Sequence, residues 1–239
     1  MIQLEPSIAN DKKLREFLVQ NLERLDNNLT RQLLYKSPNN LIFFMKRSKD
    51  YKSLIEYYLI QSNNFLEAVK VINVYCNDTK IIYDTASILL QNCPEEIVKT
   101  WVKLITNKTI TIDINKLLSI FLEYFHTVYS IKTSGGSIKK MPNYCLWFLM
   151  WYHSNVESVN KDVNDLILYM LLNDKNEFDL DKVISFIDKN WECVVRFILL
   201  NMATKIHNEN KQKRSIDVLV YILNKMKMYT ESVKMALKE

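Results

Sequence analysis

The sequence predicts an all-α protein, an α-solenoid of stacked antiparallel helix hairpins, and three observations carry that prediction. The 239 residues hold two glycines, Gly135 and Gly136, and four prolines, where ordinary usage gives about seventeen glycines. Sandwiches, barrels and doubly wound sheets need glycine at tight turns and phosphate loops, so a chain this poor in it belongs to none of them. Apolar residues recur at helical spacing almost from end to end. A helix pair near residue 60 recurs near residue 220. With 48% hydrophobic and 25% charged residues, the chain can bury a core and is neither disordered nor fibrous.

The elements follow in order. Leu14, Phe17, Leu18, Leu22 and Leu25 form an apolar stripe after a cap expected at Asn10 or Asp11. A short helix over 29–35 stops before Ser37-Pro38, because the residue preceding proline avoids the α region, and another covers 41–46. Helices at 51–61 and 65–75 are joined by Ser62-Asn63-Asn64, with Asn64 and Glu67 spaced as a capping box. A helix over 79–91 precedes Cys93-Pro94-Glu95-Glu96, where proline at the first helical position and two acids on the positive dipole end mark the next start. That helix runs to about 105, and the β-branched segment 107–112 reads as an extended connector. A long helix over 113–130 follows. Residues 132–142 hold both glycines and Pro142, which predicts a mobile loop. Beyond it helices are expected at 143–153, 160–172, 179–189, 192–206, 215–227 and 230–238, giving about fourteen in a single solenoid segment over 1–239.

The repeat organises these helices. Phe65 to Lys70 matches Tyr229 to Lys234 as aromatic-x-Glu-small-Val-Lys, and in the preceding helix Leu54, Ile55, Tyr57 and Leu59 align with Val218, Leu219, Tyr221 and Leu223. The offset of 164 residues is about five units of the size of one stacked hairpin. Small residues at Ala68 and Ser232 would admit close helix contact, and the aromatic at the start of each second helix would plug the turn.

Sequence chemistry excludes several functions. No glycine-rich phosphate loop, nucleophile elbow or paired-histidine zinc motif occurs, and no catalytic, cofactor-binding or metal residue is assigned. Glu123 and His126 share a helix face, but a di-iron bundle needs two such motifs and further carboxylates, so His126 reads as a partly buried structural histidine. Glu95 and Glu96 point about 100° apart on a helix and read as a dipole-complementing turn. The excess of 32 Lys+Arg over 27 Asp+Glu is scattered, without the concentrated basic face of a nucleic-acid binder. Cys76, Cys93, Cys145 and Cys193 form no C-x-x-C pair, and the first residues lack a signal-peptide pattern, so the thiols are expected reduced, cytosolic and packed. The longest apolar run, Cys145 to Tyr152, is too short to span a bilayer. Tyr144, Trp147, Phe148 and Trp151 form an aromatic ridge that reads as a core stripe or, failing that, a partner-binding patch.

Several of these segments also carry a family resemblance. Asp50-Tyr51 followed by Asn64 to Ile72 resembles the helix pair of clathrin-heavy-chain-type repeats. Ile82 to Leu90, Cys93 to Trp101, Ile112 to Phe121, Phe178-Asp179-Leu180, and Val220 to Leu223 with Met228 to Lys238 resemble, in order, elements of the Pep3/Vps18/deep orange family of vacuolar protein-sorting proteins. The resemblance covers about residues 14–238. Family members carry a β-propeller before this region and a RING after it. The resemblance therefore implies a C-terminal solenoid fragment without either. It also implies a scaffold role in a core subunit of the HOPS and CORVET tethering complexes, which act in endosome and vacuole docking and fusion. Implied partners are other tethering subunits, indirectly SNAREs and Rab GTPases, with peripheral attachment to the cytoplasmic side of vacuole and late-endosome membranes and no nucleic acid. A competing reading is another helical-repeat scaffold, a coat-type subunit or an RNA-binding solenoid.

Overall fold

The computed structural model describes residues 8–76, 78–131, 143–156, 161–173, 179–210 and 213–237. These hold fourteen α-helices and no strand. The chain forms two compact units, Met1–Thr111 and Ile112–Glu239, each with its own apolar core.

The first unit contains α1 (Ile8–Gln20), a 3₁₀ turn (Leu22–Arg24), α2 (Asn27–Leu34), α3 (Pro38–Arg47), α4 (Tyr51–Glu56) continued by a π turn (Tyr57–Gln61), α5 (Phe65–Tyr75), α6 (Thr79–Asn92) and α7 (Pro94–Thr106). Side-chain caps start four of these helices. Asp26 accepts from the Leu29 amide, Asp50 from Ser53, Asn64 from Glu67 and Asp78 from Lys80, each satisfying a donor the helix leaves orphaned. Pro38 and Pro94 open α3 and α7, where the missing N–H costs nothing; the helix expected at 41–46 therefore begins three residues earlier. Helix α1 starts ahead of the expected cap. Asp11 instead accepts from Asn40 Nδ2 at 2.8 Å, and Asn40 Oδ1 accepts from Arg15 Nε at 2.9 Å, so its carboxylate ties α1 to α3. The apolar stripe breaks at Gln20, and Phe17 is exposed while Leu18 is buried. Helices α4, α5 and α7 pack through Leu54, Ile55, Ala68, Ile72, Ile97 and Trp101, all at or near complete burial.

The second unit contains α8 (Asn115–Ile131), α9 (Tyr144–Asn155), α10 (Lys161–Asn173), α11 (Leu180–Asn190), α12 (Arg196–Asn210), α13 (Lys213–Lys225) and α14 (Tyr229–Ala236). The expected loop at 132–142 lies outside the described residues. Helix α10 packs against α8, α9, α11 and α12, which is why Val163, Ile167, Leu168 and Met170 are wholly buried. The helix expected from residue 192 starts at Arg196. The turn before it is closed by the Cys193 amide donating to Asn190 O at 2.9 Å and anchored by buried Val194.

The two repeated hairpins superimpose in burial at the positions that matter. Ala68 is 0% and Ser232 3% exposed, and the partner-helix residues Leu54, Ile55 and Leu59 are buried like Val218, Leu219 and Leu223. The Ser232 hydroxyl donates to Val220 O across the α13–α14 contact at 3.4 Å. Two differences are equally clear. Tyr229 is 62% exposed and does not plug its turn, and Val233 is exposed where its counterpart Val69 is buried. Helix α5 is covered on a second side by α7, whereas α14 packs chiefly on α13.

Both glycines fall in the 132–142 segment, so other residues supply the left-handed turns. Lys49, Asn63, Lys108 and Lys227 take φ of 57°, 48°, 55° and 62°, each just past a helical stretch, at the position where glycine is otherwise preferred.

Candidate interaction surface

Helix α9 is apolar on nearly every side, a composition that ordinarily means burial all round. Asn143 starts it by accepting from the Leu146 amide at 3.0 Å. One face, Cys145, Phe148, Leu149 and Tyr152, is buried. Phe148 meets Phe121 edge-on with ring centroids 5.7 Å apart, and the Tyr152 hydroxyl donates to Ile112 O at 3.3 Å. Burial pushes the Cys145 thiol far up and holds the Tyr124 hydroxyl at about 12, the signature of a dry interior. The opposite face carries Trp147, 48% exposed, flanked by half-buried Met150 and Trp151. The predicted aromatic ridge is thus divided: Phe148 belongs to the core, and Trp147 stands outside it.

The other singled-out residues are dispersed. His126 and Glu123 are both exposed, and His126 Nε2 lies 3.4 Å from the Tyr169 hydroxyl, so this histidine is a surface group and not the partly buried one expected. His207 Nδ1 lies 2.9 Å from Ser215 Oγ, and His153 Nε2 lies 2.8 Å from Asn190 Oδ1. Glu95 pairs with Lys99 along one helix face, as a solvated helix start does. Among the described residues, no three histidine, cysteine or acidic side chains converge to hold a metal. No helix of the described residues is long and apolar enough to cross a membrane. Three cysteines are packed as expected, but Cys193 is exposed.

Two features escaped the sequence. Asp188 on α11 accepts from both Tyr221 and Lys225 on α13, and Lys225 also sits 5.1 Å from the Trp191 ring centre, with Arg196 at 5.2 Å. This network braces α11 to α13. The Lys225 side-chain hydrogen bond, then that of Tyr221, holds the Asp188 carboxyl below its ordinary value. The second feature is the π turn at Tyr57–Gln61, where the Ser62 amide reaches back five residues to Tyr57 O at 3.1 Å. It forms one wall of a groove of about 290 Å³ with Tyr35, Leu41, Met45 and the exposed Ile60.

Among the described residues, apolar side chains such as Leu33, Ile60, Trp147 and Phe197 stand exposed on the helices, and no group of metal-ligating side chains is assembled. The family model for the VPS18 α-solenoid domain, second half, matches residues 51–239. That span contains both repeated hairpins, α9 and the α11–α13 brace. The chain belongs to the VPS18 family, and residues 51–239 are the second half of its α-solenoid scaffold domain.

Proposed function

We propose that this chain is a scaffold segment of a core subunit of the HOPS and CORVET membrane-tethering complexes. Both compact units would then belong to one solenoid segment presenting surfaces to sister subunits. The observation that carries the proposal is the family match over residues 51–239. An α9 that buries one aromatic face and presents another supports it, since exposed aromatic anchors on rigid helices are what protein interfaces use. Membrane attachment is peripheral in this reading and comes through the assembled complex, on the cytoplasmic side of vacuole and late-endosome membranes. SNAREs and Rab GTPases are met indirectly. The described exposed surface favours protein over RNA, being apolar at Leu33, Ile60, Trp147 and Phe197 without a basic, regularly spaced reading groove.

The test is pairwise co-purification of the 239-residue chain with each purified tethering subunit. Capture of at least one, reduced at least about tenfold by Trp147→Glu with an unchanged circular dichroism melt, is the expected result. Failure to capture any subunit would overturn the proposal.

A further inference from the structure

The groove of about 290 Å³ beside the π turn combines an apolar floor with a polar rim. Leu41 and Met45, both buried, form the floor, while Tyr35 and Ile60 stand 60% and 73% exposed beside it. Exposed apolar side chains gathered around one concavity mark a contact site. Its size sits at the bottom of the range of about 300–1,000 Å³ that holds small ligands, which is room for one large side chain. Two charged groups line the rim. Arg31 is already neutralised: its guanidinium lies 2.9 Å from the Asp50 carboxylate and also donates to Asn28 and Ser53. Glu56 is exposed and pairs with no cation among the described residues. A carboxylate only accepts, so the groove suits an occupant that carries a donor at the edge of an apolar body. Leucine fills such a floor without a donor. Lysine brings the donor on a strongly hydrated ammonium. Tryptophan supplies both, a large apolar ring system and one N–H.

The second hairpin shows what lies against the same positions there. At the repeat offset of 164 residues, Tyr57 and Gln61 of this groove correspond to Tyr221 and Lys225 of α13. The end of α11 rests on that pair. Lys225 Nζ lies 5.1 Å from the centre of the Trp191 ring and 5.7 Å from that of Tyr221, and Asp188 accepts from both side chains. The chain thus sets a half-buried indole beside these positions in one hairpin, whereas in the other Tyr57 and Gln61 border an open groove. Volume, rim chemistry and the internal repeat point to the same kind of side chain.

We infer that this groove receives a tryptophan side chain presented by a partner polypeptide, with the indole on Leu41 and Met45 and its N–H directed to Glu56. Tryptophan is among the residues that most often anchor protein interfaces in such pockets. The inference does not depend on the tethering role, because it rests on the groove and the repeat alone. The probe is the capped tripeptide acetyl-Gly-Trp-Gly-amide. Its comparators are the leucine and 1-methyltryptophan counterparts and free tryptophan, which brings a carboxylate beside Glu56. Binding is read as saturable NMR shifts of the Met45 and Ile60 methyl groups. The tryptophan peptide should bind about threefold or more tightly than either peptide comparator, the 1-methyl compound lacking only the hydrogen bond, and more tightly than free tryptophan. Ile60→Lys sets an ammonium on the rim from an exposed position and should abolish the shifts while the circular dichroism spectrum is unchanged. Glu56→Leu removes the acceptor and should erase the preference for tryptophan over 1-methyltryptophan. Absence of saturable shifts, equal binding of the tryptophan and leucine peptides, tighter binding of free tryptophan, undiminished binding by the folded Ile60→Lys chain, or an N–H preference that survives Glu56→Leu would each overturn the inference.

Discussion

Asn63 and Lys227 stand 164 residues apart and both adopt the left-handed conformation, at φ 48° and 62°. Each is the turn residue between the two helices of a repeated hairpin, before α5 and before α14. The match in backbone conformation is independent of the side-chain similarity that first suggested the repeat. Behind Lys227 the Met228 amide reaches Leu223 O, five residues back, whereas behind Asn63 the Asn64 amide reaches Tyr58 O, six back. The π turn accounts for that extra step.

A lysine in this conformation suffers a β-carbon clash of about 1–2 kcal/mol that glycine avoids, offset partly by glycine's greater loss of entropy. Lys227 is exposed, so Lys227→Gly is expected to raise unfolding free energy by on the order of 0.5 kcal/mol, and Lys227→Val to lower it by at least about 1 kcal/mol. Urea unfolding measures both, and a stabilising valine would contradict the turn assignment.

Ala68→Arg drives a charged chain into the α4–α5 contact, where Ala68 is wholly buried. Overpacking costs about 1–3 kcal/mol and the unpaired charge adds to it. In a solenoid each hairpin leans only on its neighbours. Hydrogen exchange should therefore accelerate over residues 50–90 and leave 215–237 nearly unchanged. Equal acceleration in both hairpins would refute local coupling.

Burial, and then the charge of Asp162, pushes the Asp165 carboxyl above its ordinary value, and its Oδ1 has no hydrogen-bond partner. The folded state binds this proton more tightly than the unfolded state does, so the group's contribution to stability falls as pH rises through the raised value. Asp165→Asn should stabilise the chain by on the order of 1 kcal/mol or less at pH 8, given solvent screening, and by less at pH 4.5. Chemical denaturation at the two values decides it. A benefit larger at the acidic value would reverse the sign and sink the argument.

Of the four thiols, Cys193 is exposed and the others are buried. Burial raises Cys76, and burial followed by the Glu96 charge raises Cys93 to about 11, which suppresses the reactive thiolate. A thiol-specific chromogenic reagent at pH 8 should titrate one group rapidly in the native chain and all four in urea. Retention of the fast phase in Cys193→Ser would show that another thiol is accessible.

Local signals were legible wherever the chain answers to its own neighbours. Asn64, Pro94 and Asn143 begin helices where their side chains or ring require, and Phe65–Tyr75 has the expected bounds. Legibility failed where a distant residue intervened. Asp11 caps nothing, since the chain is already helical from Ile8, and its carboxylate instead accepts from Asn40, twenty-nine residues away. Val233 repeats Val69 in sequence but not in burial, since α7 covers α5. The pairing of Asn190 with His153 leaves no sequence motif at all, because it joins α11 to α9 across 37 residues; neutral side chains at such separations look like ordinary surface.

Three of the four left-handed residues, Lys49, Lys108 and Lys227, place a positive charge immediately beyond the C-termini of α3, α7 and α13. The backbone strain at these turns does not depend on the solution. The attraction between each ammonium and the helix end, about 0.3–1 kcal/mol in dilute buffer, is screened by added salt. Ionic strength therefore acts on this protein through its corners. As salt rises, the strain stays while the compensation fades, and the last turns of α3, α7 and α13 loosen ahead of the helix interiors, whose hold is apolar.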